Sequence, residues 1–166
     1  LVVDRFHFFS YLNKAVDSQR KSLRRQFKDK EEFKRLKWAL LKNPENLTPA
    51  QKDKLGCAFL QSPELKLIYD HKEKFRAIFN KNLTRKQGEI ELNKWMEEAK
   101  KMKNKHLNNF LYMLNDWKEY VLNYFIHRFT TSVIEGINNS IKTVKRMGYG
   151  FRNFANFKQR VLISFA

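Results

Sequence analysis

Two places in the middle of the chain fix where helices begin. Thr48-Pro49 and Ser62-Pro63 each set a capping hydroxyl directly before a proline. Proline is tolerated at the first helical position, because the N–H it lacks would have no partner there anyway. The pattern predicts one helix from Pro49 to about Gln61. A second follows from Pro63, with Leu65, Ile68, Phe75 and Phe79 at helical spacing. No glycine occurs between Gly88 and Gly136, which suits long helices with tight connections.

The helical pattern extends in both directions. From about Phe6 to Phe27, the residues Phe9, Leu12, Val16, Leu23 and Phe27 share one side, while Arg20, Lys21, Arg24 and Arg25 form a basic face. A helix over Lys30 to Leu41 turns Phe33, Leu36, Leu40 and Leu41 inward, and Asn43 to Asn46 is a loop. Thr84 caps another helix, through about Met102, with Leu92, Trp95, Ala99 and Met102 on one face. After a break at Lys103 to Lys105, Leu107, Phe110, Leu111, Leu114 and Val121 fall in register. Tyr120 to Phe129 is aromatic and β-branched enough to be extended, and continued helix stays open. Roughly residues 29 to 120 thus read as an all-helical block between two acid-bearing ends.

At the first end, Leu1, Val2 and Val3 form a short apolar run before Asp4, as in a buried strand. Open α/β sheets place functional groups at such strand ends. Taken without its neighbours, Asp4 is better explained as a helix N-cap.

At the other end, Ser132 to Met147 placed on a helix puts Ile134, Ile137, Ile141 and Val144 on one narrow apolar stripe. Glu135, Asn139, Lys142 and Arg146 form a second stripe on nearly the opposite side. Gly148 and Gly150 bracket Tyr149 where the helix should stop, since glycine takes the left-handed C-terminal position without steric cost. A last helix from about Asn153 carries Phe154, Phe157, Val161 and Phe165 on one side. By composition alone, Glu135 is an ordinary solvated carboxylate on a basic amphipathic helix.

Two motifs change that balance. The run IEGINNSIKTVKRMGYGFRNFANFKQR closely resembles the C-terminal signature of bacterial insertion-sequence transposases of the DDE superfamily, the ISL group in particular. The opening LVVDRFHFF resembles the second-acid motif of the same family, a short strand ending in Asp-Arg-Phe-His. The resemblance implies a mainly α chain: an all-helical insertion flanked by pieces of a truncated RNase H-like α/β core. The pieces would be 1–28 with the second catalytic Asp, 29–120 as the insertion, and 121–166 with the catalytic Glu helix.

On this resemblance Asp4 and Glu135 are catalytic metal ligands for Mg²⁺ or Mn²⁺, hard cations that prefer oxygen donors. Two such ions activate the attacking oxygen and stabilise the leaving one in an in-line phosphoryl transfer. The family cuts DNA at the element ends and joins the freed 3′-hydroxyl to target DNA without a covalent protein intermediate. The family's first acid lies upstream of the second, and Asp17, Asp29, Asp53, Asp70 and Asp116 all come after Asp4. The chain reads as a C-terminal fragment, inactive alone, in which exposed sheet edge and apolar face leave homo-oligomer formation open.

Asn139, Lys142, Lys145, Arg146 and Arg152 are the candidate DNA-binding residues. Arg152 and Asn153 stand at a helix start, where free N–H groups favour phosphate. Composition supports a polyanionic partner: 34 basic against 17 acidic residues give a formal net charge of +17. The different-class alternative is a non-catalytic helical DNA- or RNA-binding module, which keeps the basic faces and makes no use of the two acids. Cys57, the one cysteine, excludes an intramolecular disulfide and is expected to be buried. No two of His7, His71, His106 and His127 have zinc-ligand spacing, and no Gly-rich phosphate loop or Gly-x-Ser-x-Gly motif is present. Without a run of 18 apolar residues or a signal-peptide pattern, no membrane partner is expected, and the expected home is the bacterial cytoplasm.

Overall fold

The structure, a computed structural model, describes residues 4–26, 30–128 and 132–165, and among these every regular element is helical. The chain divides into two compact units, Leu1–Phe129 and Thr130–Ala166. The expected strand Leu1 to Val3 and the core position Phe27 lie outside the described residues.

The first unit contains α1 (Arg5–Ser22), α2 (Lys30–Leu41), α3 (Pro49–Gln61), α4 (Pro63–Asn80), α5 (Arg85–Lys101), α6 (Lys105–Asp116), α7 (Lys118–Leu122) and α8 (Tyr124–His127). The helix starts are made by local chemistry. At Thr48 and Thr84 the hydroxyl accepts the N–H of the residue three further on, at 3.3 Å in both cases. The Gln side chains there, Gln51 and Gln87, return the bond to the cap N–H at 3.1 and 3.0 Å. Ser62 accepts from Leu65 N–H at 3.3 Å. Asn104 accepts from both His106 and Leu107 after Lys103 turns the chain at φ 49°.

Helix α1 is the centre of this unit, packing on α2, α4 and α6. Its inward face is Phe8, Leu12, Ala15 and Val16; Phe8 is 1% exposed, whereas Phe9, the expected core residue, is half-buried. An aromatic cluster joins the helices: Phe8–Phe79 at 4.9 Å, Phe75–Trp95 at 4.7 Å and Phe79 stacked on Phe125 at 5.0 Å. Each such pair adds roughly 0.5–1.5 kcal/mol beyond the area it buries. Tyr120 to His127, open at sequence level between strand and helix, is helical, in α7 and α8. Val121 is fully buried, but it sits in α7 beyond a break at Trp117, not in α6.

Phe125 can approach α5 because position 88 is glycine. A Cβ at Gly88 would lie 2.5 Å from the Phe125 ring. Buried polar groups are tied to main chain: the Lys72 ammonium donates to the Leu40 carbonyl at 2.7 Å, and the Trp95 indole to the His71 carbonyl at 2.9 Å. Cys57 is exposed, contrary to expectation, because α3 turns Leu55 and Ala58 inward and leaves Cys57 on its outer side.

The second unit is a pair of helices, α9 (Ser132–Met147) and α10 (Phe154–Ser164), that pack on each other. Ile141, Val144, Phe151, Phe157 and Val161 are half-buried, and Phe151 lies 5.2 Å from Phe157. Ile134 and Ile137, at the start of the expected buried stripe, are exposed.

Candidate functional site

Helix α9 carries most of the residues singled out by sequence. Glu135 lies in its first turn, where the positive end of the helix dipole favours a carboxylate, and Lys145 and Arg146 lie in its last turn, where cations are favoured. Glu135, Asn139, Lys142, Lys145 and Arg146 are all exposed. The Thr143 hydroxyl donates to the Asn139 carbonyl and the Ser140 hydroxyl to the Gly136 carbonyl, both at 3.0 Å. The Arg146 guanidinium in turn approaches the Thr143 hydroxyl at 3.5 Å. The Ser140 and Thr143 hydroxyls are thereby satisfied on their own helix, and Glu135, Asn139, Lys142 and Arg146 are exposed along one stripe.

The turn after α9 places Arg152. Gly148 N–H donates to the Val144 carbonyl at 3.2 Å and Tyr149 N–H to the Arg146 carbonyl at 3.0 Å. Tyr149 itself takes the left-handed conformation at φ 49°, followed by Gly150 at φ 94°. Of the two glycines expected to end the helix, Gly150 is the one with a positive φ, and Tyr149 takes the left-handed position beside it. Gly148 is small for a different reason, since a Cβ there would meet the Phe151 ring at 2.6 Å. Arg152 is exposed one residue before Asn153, whose side chain caps α10 by accepting from Ala155 N–H at 2.8 Å.

Asp4 lies in the first unit. It is 9% exposed and caps α1, its carboxylate accepting the Phe6 N–H at 2.9 Å. It thus fills the N-cap role. His7, on the next turn, is exposed. Arg128, in the first unit, donates to the Lys81 carbonyl at 2.6 Å.

Both acids offer the hard oxygen donors that Mg²⁺ takes. Among the described residues, however, no group of three or more His, Cys, Asp or Glu side chains is gathered to hold a metal. No helix among the described residues is long and apolar enough to cross a membrane.

A helical chain of formal net charge +17, with an acid at the head of a row of cations, defines a broad class of basic helical proteins. The comparison with known families narrows this class: a model described as "Transposase" matches residues 1–161, and the chain belongs to the ISL3-type transposase family. It is 27% identical over 172 residues to the transposase for insertion sequence element IS1001 of Bordetella parapertussis, covering 99% of this chain and 42% of that protein. It is 28% identical over 127 residues to the transposase for insertion sequence element IS1557 of Mycobacterium tuberculosis, covering 75% of this chain and 28% of that protein. The chain thus spans less than half the length of these curated relatives. No solved structure matches it significantly.

Proposed function

We propose that this chain is the part of an insertion-sequence DDE transposase that supplies the second and third active-site acids, Asp4 and Glu135. The observation that carries the reading is the family match over residues 1–161, a range that includes both positions. In the complete site, bound Mg²⁺ or Mn²⁺ would supply Lewis-acid stabilisation of the phosphate under attack. Asp4, fixed at the head of α1, and Glu135, exposed at the head of α9, are the groups that would hold it.

The partner is DNA, at the element ends and the target. Lys142 and Arg146, one and two turns beyond Asn139 on the same stripe, hold the phosphates flanking the scissile bond, with Lys145 and Arg152 beside them. Asn139, between the acid and the cations, positions the strand by hydrogen bonds. Water attacks phosphorus, the bond to the 3′-oxygen breaks, and the released 3′-hydroxyl then displaces a target-strand oxygen, so no protein–DNA bond forms.

The test is strand cleavage of element-end DNA in Mn²⁺ by the whole transposase and its Glu135→Gln variant. Cleavage lost in the variant with DNA binding kept is the expected result. Equal cleavage by both proteins, or binding without cleavage in either, rejects the catalytic assignment and leaves a helical DNA-binding module.

A further inference from the structure

Helices α1 and α2 leave between them a groove of about 260 Å³, distant in sequence from both acid motifs except at its first residues. Its floor is apolar, made by Phe6, Phe9 and Leu41, and its walls carry Lys14 and Lys37. Each of these cations rests on an aromatic ring next to it. The Lys14 ammonium is 4.7 Å from the centre of the Tyr11 ring, and the Lys37 ammonium is 5.0 Å from that of Trp38. Phe6, in the groove lining, is 67% exposed, and Tyr11 and Trp38, outside the lining but in contact with its two cations, are 43% and 64% exposed.

The groove's charge is one-sided. The carboxylate lining it, Asp17, is paired with Arg20 at 2.7 Å and Lys21 at 3.1 Å. Among the described residues that line the groove, no other carboxylate faces Lys14 and Lys37. A ligand matched to this surface needs flat apolar faces for the rings and anionic groups at intervals for the cations. An acidic peptide or a free phosphate offers only the second. A duplex presents its phosphates but keeps its base faces stacked inside. Unpaired nucleotides offer both, and base–aromatic stacking beside a basic track is how proteins hold single strands.

We propose that the α1–α2 groove binds unpaired nucleotides of a DNA strand, with bases stacking on Trp38 and Tyr11 and phosphates meeting Lys14 and Lys37. The proposal rests on DNA being this protein's partner, but not on the assignment of Asp4 and Glu135. It gives the first unit a nucleic-acid contact of its own, made by other residues than the α9 row.

The experiment is a fluorescence-anisotropy titration of the chain against a labelled 20-nucleotide oligo(dT) and against a blunt duplex of equal length. Stacking on an aromatic contributes about 1–3 kcal/mol per base, so Trp38→Ala should weaken oligo(dT) binding by about 5- to 150-fold. The duplex should be held as before, and Trp38→Phe should retain most of the single-strand affinity. Trp38 is exposed, so neither substitution opens the core. Unchanged oligo(dT) binding in Trp38→Ala overturns the proposal. So does an equal loss on both DNAs, or no single-strand binding by the parent. A paired Lys142→Ala, Arg146→Ala variant separates the two readings: if it leaves duplex binding intact while Trp38→Ala still loses the single strand, the α9 interface fails and the groove stands.

Discussion

The carboxylate of Asp4 accepts the backbone N–H of Phe6 at 2.9 Å, so the candidate second acid is also the residue that starts α1. The two roles make different demands. Asparagine caps a helix about as well as aspartate, whereas alanine costs about 1 kcal/mol. A metal-holding role needs the charge, which asparagine lacks. Asp4→Asn should therefore leave the urea midpoint of unfolding nearly unchanged and abolish strand cleavage by the whole transposase. Asp4→Ala should lose both. If Asp4→Asn cleaves like the parent, Asp4 is a cap and no more.

Asp17 gives the fold a sensitivity to acid. Burial alone would raise its carboxyl, but hydrogen bonds and charge from Arg20 and Lys21 outweigh this and hold it below its ordinary 3.8. Below that value the unfolded chain takes up the proton before the folded one, so stability falls as the pH drops through the folded value and is fully present above about 4. Asp17→Asn should cost about 2 kcal/mol near pH 6, by weakening charge-assisted bonds to Arg20. The gap between parent and variant in urea unfolding should narrow towards pH 2.5. A gap independent of pH would mean that the Arg20 contact does not depend on the charge.

The helix starts at Thr48, Ser62 and Thr84 were legible because they are local: each hydroxyl bonds a backbone N–H three residues on. So were the inward faces of α4 and α5, where Leu65, Ile68, Phe75, Leu92 and Trp95 repeat at helical spacing and are buried. What depends on how helices meet was not legible. Phe8 and Phe9 are identical residues side by side in the sequence, and only the packing of α1 decides that Phe8 is inside. The Lys72 bond to the Leu40 carbonyl joins residues 32 apart that no period connects. On α9 the row from Glu135 to Arg146 was readable, since one helix defines it. The groove between α1 and α2 was not, because Lys14 and Lys37 come from different helices.

Gly88 tests the packing of α8 on α5. A methyl group there would stand 2.5 Å from the Phe125 ring, which itself stacks on Phe79 in the core. The ring would have to move, and overpacking of this kind costs typically 1–3 kcal/mol. Helix propensity works the other way, since alanine is favoured over glycine by up to about 1 kcal/mol. Gly88→Ala should still lower the thermal midpoint. Pairing it with Phe125→Leu, which removes the ring edge, should restore part of the loss, and the two effects should therefore not add. A stabilised Gly88→Ala protein would show that Phe125 is free to give way.

The α9 row makes a quantitative claim about salt. Each phosphate neutralised by a cation releases counterions, and log affinity falls with log salt by about 0.9 per contact on duplex DNA. Lys142 and Arg146, exposed on one stripe, should each contribute about one such contact. Alanine at either should flatten the salt dependence of duplex binding by about one unit, at any base sequence. Glu135→Gln removes a negative charge from the head of the same row. Without metal it should leave the slope unchanged, or bind slightly tighter at low salt, because no phosphate contact is lost. A slope that stays the same in Lys142→Ala and Arg146→Ala would place the phosphates elsewhere. Arg146 would then be explained by the helix dipole, as a cation in the last turn of α9, and Lys142 as a solvated surface charge.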